Sequence, residues 1–506
     1  MVVLGVQLAG IQRPFSGHFA SYQLVMASMA RNMLHENFKE ILLPKTDLIV
    51  GGKKSLHLNQ YPFPSLAVAL SIRFFGGTME FWGRFQAIVC NALTALLVGL
   101  IAARLFTSLT GWIAATIYAL SPFTLVYGQG FFSESMALFF LALSLYLILR
   151  VAESRFAWLE ILLSALSFSI AVAGRVHFVF FYPVWLFHLF FSSGKEKIIR
   201  SLIFTVFALA LPVAWFAHTY FASVGADNVL SNVFLQMGMR KVGDQNYLTR
   251  LDYYGRIFDH VSQFMLTPLV FPFFILGFSF LKEKKTALWV TAGGLIFGCL
   301  VGLVSPQKVM AHDFYLYGIF PFLCMVAARG VEALLDAFPF FRKTRTVMVL
   351  LLLYFLISAR YFMHPIFKYP DSKQQIQMIT QAIEKNTQPN DLLVVAANEP
   401  AIMHYYADRA GWTMELNHIG RELMPYLKNP RFSKIDPAEI ERYEKAMKDP
   451  VSWLEYLREK GASYFLAPRK EELTRVPNLL NYLLTHYSKL SPDTDDFFLF
   501  NLTPAA

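Results

Sequence analysis

The segment GRFQAIVCNALTALLVGLIAAR, residues 83–104, has no charged side chain between Arg84 and Arg104. A helix needs roughly 20 apolar residues to cross the hydrocarbon core of a membrane, and this segment has that length. Similar apolar stretches follow it along the chain, at residues 109–127, 131–150, 157–174, 176–193, 201–223, 262–281, 286–304, 314–335 and 346–363. The sequence therefore predicts a mostly α-helical protein, a polytopic transmembrane bundle of about 10–11 spans.

The composition supports a membrane protein and argues against several other classes. Of the 506 residues, 55% are hydrophobic and 16% are charged, whereas soluble proteins carry about 25% charged residues. The net charge of +10 fits basic loops beside anionic lipid. We expect no nucleic-acid partner, because no basic run is long or interleaved with aromatic residues. The cysteines Cys90, Cys299 and Cys324 lie in apolar stretches and form no metal or redox motif.

The gaps between the apolar stretches are of two kinds, and this predicts the topology. Short basic gaps lie at residues 150–155, 195–200, 282–285 and 342–345. Short loops rich in Lys and Arg remain in the cytoplasm. The gaps that carry His, Asp, Arg and aromatic residues, together with both polar ends of the chain, should then face outward. Those gaps are residues 175–177, 225–260 and 305–317.

We expect three regions along the chain: 1–80, 81–364 and 365–506. Residues 1–12 are apolar but too short to span, which suggests a truncated first span or a start codon assigned too late, with a short re-entrant or interfacial end as the alternative. In residues 21–35, Tyr22, Met26, Met29 and Met33 recur at helical spacing and predict an amphipathic helix lying on the membrane. From about residue 365, candidate strands at 392–398, 462–468 and 496–502 alternate with helices, which predicts a soluble α/β domain on the outer face.

Several segments together resemble the GT-C glycosyltransferases, in particular the dolichyl-phosphate-mannose protein mannosyltransferase and aminoarabinose transferase group. In chain order they are an ARNML helix, LNQYPFPSLAVALSIRFFGG, WGRFQAIVCNALTALLVGLIAARL, SPFTLVYGQGFFSESMALFF and SPQKVMAHDFYLYGIFPFL. The resemblance implies sugar transfer from a polyprenyl-phosphate donor to a lipid, glycan or protein acceptor. It also implies a site on the outer face of the cytoplasmic (inner) membrane.

The resemblance leaves the catalytic base open between several residues. The family commonly has an Asp-Glu pair where this chain has Ser16-Gly17-His18. Asp47 is the acidic alternative on the same loop, although it also suits a turn before Gly51-Gly52. His18 is the second candidate, with an interfacial histidine as the alternative. Glu134, at the outer start of a span, would contact sugar or metal, or would simply interact with the helix dipole.

Cations for the donor phosphate are also predicted at outer helix ends. Lys308 and His312, with Tyr315 in support, occupy the stretch that resembles the phosphate side of the family. Arg84 and Arg175 would help, because arginine binds phosphate in a bidentate manner, or would extend to lipid headgroups. The spacing of His and acidic residues predicts no metal site, although some members of the family use a divalent ion, which would fall at Glu134 or Asp47.

Two other functions compete with sugar transfer. A transporter or lipid flippase would also be polytopic, but such proteins usually show internal repeats and charges near mid-span. This chain has neither, since its charges cluster at the outer ends of the stretches. A non-catalytic membrane scaffold is the third alternative, because the Asp-Glu pair is missing.

Overall fold

The computed structural model describes residues 7–8, 10–16, 20–50, 52–192, 194–224, 226, 228–232, 247–281, 284–338, 349, 352–354, 356, 371–397, 401–414 and 437–504. The chain divides into two compact units. Unit 1 comprises Met1–Ile11, Phe81–Trp215 and Arg240–Lys368; unit 2 comprises Gln12–Glu80, Phe216–Met239 and Tyr369–Ala506.

Helices account for most of the described chain. In chain order they are α1 (Ala20–His35), α2 (Phe63–Phe75), α3 (Met79–Leu105), α4 (Ser108–Leu120), α5 (Pro122–Tyr127), α6 (Ser133–Arg150), α7 (Ala157–Gly174), α8 (Tyr182–Ser192), α9 (Lys197–Ser223), α10 (Leu251–Asp259), α11 (Thr267–Phe278), α12 (Lys285–Val304), α13 (Pro306–Ala311), α14 (Phe320–Ala337), α15 (Asp371–Asn386), α16 (Ala401–Tyr406), α17 (Pro437–Ala446), α18 (Pro450–Glu459), α19 (Lys470–Thr474) and α20 (Pro477–His486). Two 3₁₀ segments, Val176–Phe181 and Asp313–Ile319, precede α8 and α14.

The predicted polytopic helical membrane fold is confirmed. Within the described residues, six helices are long and apolar enough to cross a membrane: Met79–Leu105, Ser133–Arg150, Ala157–Gly174, Gly194–Ser223, Lys285–Val304 and Phe314–Ala337. Leu251–Met265 and Thr267–Phe278 form a further apolar pair, bent by 106°. These elements match seven of the ten predicted spans.

Two predicted spans are shorter than expected. The stretch 109–127 is divided at Ser121, whose backbone leaves the helical region and whose hydroxyl caps α5 by accepting from the Phe123 amide. The stretch 176–193 begins as a 3₁₀ segment before α8. Apolar composition gave no sign of either break, because a buried break needs no polar residue when its backbone groups find partners. The last predicted span, 346–363, lies mostly outside the described residues.

Glycine allows two of the membrane helices to pack closely. A Cβ atom at Gly330 of α14 would overlap the carbonyl oxygen of Phe273 in α11, and one at Gly277 of α11 would overlap that of Val326 in α14. Small residues bring helix backbones together in membranes, where packing rather than water exclusion drives association.

We therefore expect Gly330→Ala to lower the free energy of unfolding of the purified protein in detergent by about 1–3 kcal/mol, because the new methyl group overpacks the contact. The melting temperature should fall accordingly. The matched control is Gly255→Ala in α10, where a new Cβ would meet no atom within 4 Å. Alanine at this control site should be neutral or slightly stabilising, because it has the higher helix propensity. Equal melting temperatures for the two variants would contradict the close packing of α11 on α14.

Unit 2 is built on a mixed sheet of eight strands in the order β3-β2-β1-β5-β4-β6-β8-β7. The strands are β1 (Lys45–Val50), β2 (Lys53–Leu58), β3 (Val229–Asn232), β4 (Leu392–Ala396), β5 (Gly411–Met414), β6 (Ala462–Ala467), β7 (Tyr487–Lys489) and β8 (Phe498–Pro504). Strands β4, β6 and β8 and helix α18 match the predicted C-terminal α/β elements. Helix α18 is capped by Asp449, and Gly461, with φ +105°, follows soon after its end.

Both faces of the C-terminal part of this sheet are covered by helices. Leu393 and Val395 pack with Ile379 and Ile383 of α15, whereas Val394 and Ala396 pack with helices α18 to α20 on the other side. Successive side chains of a strand point to opposite faces. The uninterrupted apolar run at 392–397 is explained by burial on both faces.

The predicted regions 1–80 and 365–506 were expected to be separate, but Gln12–Glu80 and Tyr369–Ala506 belong to one compact unit. Strand β1 of the first loop pairs in parallel with β5 through Leu48 and Gly411, so the first loop and the C-terminal region share one sheet. Helix α1 is present as predicted, but Leu24, Met26, Met29 and Met33 are buried. It packs on α2, α16 and β1. The apolar side that we expected to lie on the membrane is therefore covered by protein.

Candidate active site

A buried ion pair joins Glu134 and Arg175 in unit 1. Glu134 lies in the first turn of α6, where the helix dipole favours a carboxylate. Arg175 directly follows Gly174, the last residue of α7. The Nη2 atom of Arg175 contacts Oε1 of Glu134, and their side chains are 10% and 1% exposed. The carboxylate is therefore the inner member of the pair and the guanidinium the outer one.

The ring of Phe314 lies over the guanidinium, and further rings stack on Phe314. The Arg175 Cζ atom lies 5.6 Å from the ring centroid of Phe314, a favourable cation–π distance. Phe314 stacks in turn on Phe132, at 6.4 Å between centroids, and on His312, at 5.2 Å. A charge held among apolar rings is poorly screened by water, so an anion that reaches Arg175 interacts with it strongly.

Two further polar rings lie beside the pair. His177 is buried two residues after Arg175, and its ring centroid lies 5.2 Å from that of Tyr315. Tyr315 is 6.2 Å from His312 by the same measure. The structure thus brings the predicted residues Glu134, Arg175, Tyr315 and His312 together and adds His177. The sequence signal for His177 was its place in the short polar gap 175–177.

A hydrogen-bond network fixes the segments that carry these side chains. The Asn91 amide of α3 donates to the Ser135 hydroxyl at 2.9 Å, and its oxygen accepts from Tyr118 at 3.1 Å and from Tyr317. Ser135 follows Glu134, and Tyr317 is two residues after Tyr315. Because a satisfied buried network restricts its members to one arrangement, Asn91 sets the position of both site segments.

The other predicted cations are Lys308, which is close to His312 in sequence, and Arg84, which lies on α3. Lys308 is in α13, half-buried, and its carbonyl oxygen accepts from the His312 amide at 2.8 Å, so the two residues share one turn. Arg84, in the first turns of α3, is buried and donates to the Ile11 carbonyl oxygen at 3.1 Å. Gly83 lies against the ring of Phe131, close in sequence to Glu134.

Asp47 lies in unit 2, inside a group of charged and amide side chains. Its Oδ2 atom accepts from Arg31 Nη2 at 2.6 Å, and its Oδ1 atom accepts from Asn32 at 3.2 Å. The ammonium group of Lys54 is 3.8 Å from Oδ1. Asp47 is 4% exposed and sits within β1, not in the turn that was the alternative prediction. Both of its oxygens are therefore engaged by donors.

Arg31 links Asp47 to the C-terminal part of unit 2. Its Nη1 atom donates to the Tyr405 carbonyl oxygen at 2.5 Å, and its guanidinium lies 4.6 Å from the centroid of the Tyr405 ring. Burial, and then the charge of Glu80, raise the pKa of the Tyr405 phenol above its ordinary value, so the ring stays neutral. Arg31 was not predicted as important, because nothing in its local sequence indicates its distant partners.

The remaining base candidate, His18, lies outside the described residues. A divalent ion at Glu134 or Asp47 does not fit what surrounds these carboxylates. Glu134 is paired with a guanidinium, and Asp47 with a guanidinium and an ammonium group. Cations at that distance oppose a second positive charge. Among the described residues, no group of three or more His, Cys, Asp or Glu side chains is arranged to hold a metal.

Comparison with known proteins finds one family model and several solved structures that this chain resembles. The family model for dolichyl-phosphate-mannose-protein mannosyltransferase matches residues 59–220. The fold is similar to that of ArnT from Cupriavidus metallidurans, in the apo state and bound to undecaprenyl phosphate. The TM-score is 0.61 at 12% identity, over 99% of this chain and 96% of that one. No curated protein sequence gives a significant match.

A second set of similar structures comes from an archaeon. The oligosaccharyltransferase of Archaeoglobus fulgidus, in complex with Zn and sulfate, has a TM-score of 0.55 at 12% identity, over 92% of this chain and 68% of that one. The oligosaccharyltransferase AglB of the same organism, in complex with an inhibitory peptide and a dolichol-phosphate, has a TM-score of 0.55 at 10% identity.

The family model and the fold point in the same direction. Residues 59–220 match a mannosyltransferase family model, and the chain as a whole has the polytopic fold of the ArnT and oligosaccharyltransferase structures. The matched family and structures are all transferases, and the transporter alternative gains no support from them.

Asp47 is a predicted catalytic base, but its contacts with Arg31 and Asn32 suggest a structural role. A stability measurement separates the two roles. We expect Asp47→Asn to lower the free energy of unfolding by about 3 kcal/mol, because it removes the buried anion of Arg31 and leaves only the half-exposed Asp408, at 3.3 Å. Thermal unfolding of the purified chain measures this loss. Asp493→Asn is the control, since the Asp493 side chain is 97% exposed in the same unit, and it should have little effect. Normal stability with lost sugar transfer would instead assign Asp47 to catalysis.

Proposed function

We propose that this protein transfers a sugar from a polyprenyl-phosphate donor to an acceptor on the outer face of the cytoplasmic membrane. The observation that carries the proposal is the buried guanidinium of Arg175, held between Glu134 and aromatic rings beside His312 and Tyr315. A departing lipid phosphate needs fixed cations, and such cations act most strongly where water is excluded. The similarity to an ArnT structure that contains undecaprenyl phosphate supports this donor class.

Several residues of unit 1 would bind the donor phosphate, each from a different side. Arg175 supplies a planar, permanently charged group that suits phosphate oxygens. Lys308 and His312, one turn apart on the half-buried side, would bind the same phosphate from the more exposed direction. Tyr315, stacked near both histidines, would hydrogen-bond the donor. Arg84 lies at the start of α3 and would assist at the headgroup level.

The chemistry is a single displacement at the anomeric carbon. The acceptor hydroxyl forms a bond to this carbon, the bond to the phosphate oxygen breaks, and polyprenyl phosphate leaves. The hydroxyl proton passes to a base, for which His18 and Asp47 are the predicted candidates, with Glu134 predicted to contact the sugar. The Arg175 contact favours a charge-balancing role for Glu134, and the Arg31 contact favours a structural role for Asp47. His18 is then the first residue to test as the base.

Activity in cells tests the proposal. Mass spectrometry of membrane glycolipids and glycans, with and without the gene, should show a mass difference of one sugar. In complemented cells, Arg175→Gln and Lys308→Ala should lower product formation by roughly 30-fold or more, because each removes a cation from the leaving phosphate. His18→Ala should lower it by about 100- to 10,000-fold if His18 is the base.

The control variant is Lys445→Ala, at an exposed position of α17, which should leave product formation unchanged. Expression of each variant is confirmed in membranes. If Arg175→Gln and Lys308→Ala both kept full activity at normal expression, the phosphate site would lie elsewhere. If no sugar-sized difference appeared in lipids, glycans or proteins, the proposed reaction would be wrong.

Membrane topology provides an independent test, motivated by the basic gaps. Cysteine would be introduced at Lys195 or at Lys445, both exposed, in a chain whose exposed Cys299 is replaced by serine. A membrane-impermeant thiol reagent added from the outer side should label the Lys445→Cys variant and not the Lys195→Cys variant. Labelling of Lys195→Cys alone would reverse the predicted orientation and separate the C-terminal region from the outer face.

A further inference from the structure

The Glu134–Arg175 pair has a charge balance that the proposed donor would change. In the pair, one buried carboxylate neutralises one buried guanidinium. Glu134 also accepts a 3.3 Å hydrogen bond from Ser133 and lies in the first turn of α6. The carboxylate therefore has local stabilisation besides Arg175. The guanidinium, which is the more exposed partner, is the group that an incoming anion would meet first.

We propose that Glu134 is a positioning residue that limits the affinity of Arg175 for polyprenyl phosphate. The polyprenyl phosphate that remains after each sugar transfer can then dissociate. This inference rests on the proposed function, because it assigns Arg175 to the donor phosphate. It concerns a different property, the affinity for the phosphate that remains after the sugar has been transferred.

The physical reason is repulsion between two anions that share one cation. When a phosphate reaches Arg175, the phosphate charge lies close to the charge of the Glu134 carboxylate. The Glu134 side chain is only 1% exposed, so water screens this repulsion poorly. Like charges repel strongly in such a medium. Part of the attraction between Arg175 and the phosphate is thus lost to Glu134. An uncharged residue at this position would remove this repulsion and increase the affinity of Arg175 for phosphate.

The role predicts an unusual result for a residue in an active site. Glu134→Gln should bind undecaprenyl phosphate at least about fivefold more tightly than the wild type, the low end of typical coupling between sites. Both kcat and KM for transfer should fall, because the spent carrier leaves slowly. A catalytic base at Glu134 would instead lower kcat with KM unchanged.

The binding experiment uses the full-length purified chain in lipid nanodiscs, titrated with undecaprenyl phosphate. Glu332→Gln is the matched control, because Glu332 is also a buried carboxylate of unit 1 paired with an arginine, Arg329. It should bind with wild-type affinity. Glu134→Asp keeps the charge and should also remain near the wild type. In the Arg175→Gln background, Glu134→Gln should give no tightening, since the shared cation is absent.

The outcomes separate this inference from the proposed function. Equal or weaker binding by a folded Glu134→Gln variant, with wild-type binding intact, would overturn the inference alone. If Glu134→Gln did not fold, Glu134→Asp would decide: a shorter carboxylate that abolished binding would assign Glu134 to direct donor contact and overturn the inference. Failure of the wild type to bind undecaprenyl phosphate, or full binding by Arg175→Gln, would overturn the proposed function itself.

Discussion

Each buried carboxylate in the described part of the chain has an arginine partner. These ion pairs determine which segments of the chain must lie together. The pairs are Asp47 with Arg31, Glu134 with Arg175, Glu160 with Arg150, and Glu332 with Arg329. Removing a charge from water costs several kcal/mol unless an opposite charge and hydrogen bonds compensate for it. Each pair therefore fixes the segments that bring its two members together. The pair at Glu134 joins the start of α6 to the end of α7, at the candidate active site.

Two departures from long membrane helices carry residues of that site. Arg175 and His177 lie where α7 gives way to a 3₁₀ segment, and Tyr315 lies on the second 3₁₀ segment, before α14. Irregular backbone at membrane depth is tolerated only where protein covers it or water reaches it. Here the Asn91 network and the aromatic rings around Phe314 provide the cover. The same covering keeps water from the guanidinium and gives its charge a strong effect on a phosphate.

Unit 2 shows how a loop near the start of the chain can depend on its end. Arg31 and Asp47 belong to the first polar loop, yet Arg31 also binds the backbone of Tyr405. The pairing of β1 with β5 extends the same connection through the sheet. A polar loop of this kind cannot bury a core by itself. Joining that loop to the C-terminal strands gives it a sheet and a stable position.

Local pattern alone determined the membrane class, most of the spans and the C-terminal strands, because apolar length and strand alternation depend on neighbouring residues only. Resemblance in ordered motifs indicated the transferase class and pointed to Glu134, His312 and Tyr315, whereas Arg175 was predicted from its place at an outer helix end. Only the tertiary structure decided which charges meet. Asp47 has the same sequence neighbours whether it faces an acceptor or Arg31, and Glu134 could not be linked to Arg175 across 40 residues. The break at residues 176–181 was hidden for the same reason, since its hydrogen-bond partners come from the fold, whereas Ser121-Pro122 is itself a local signal for a helix break.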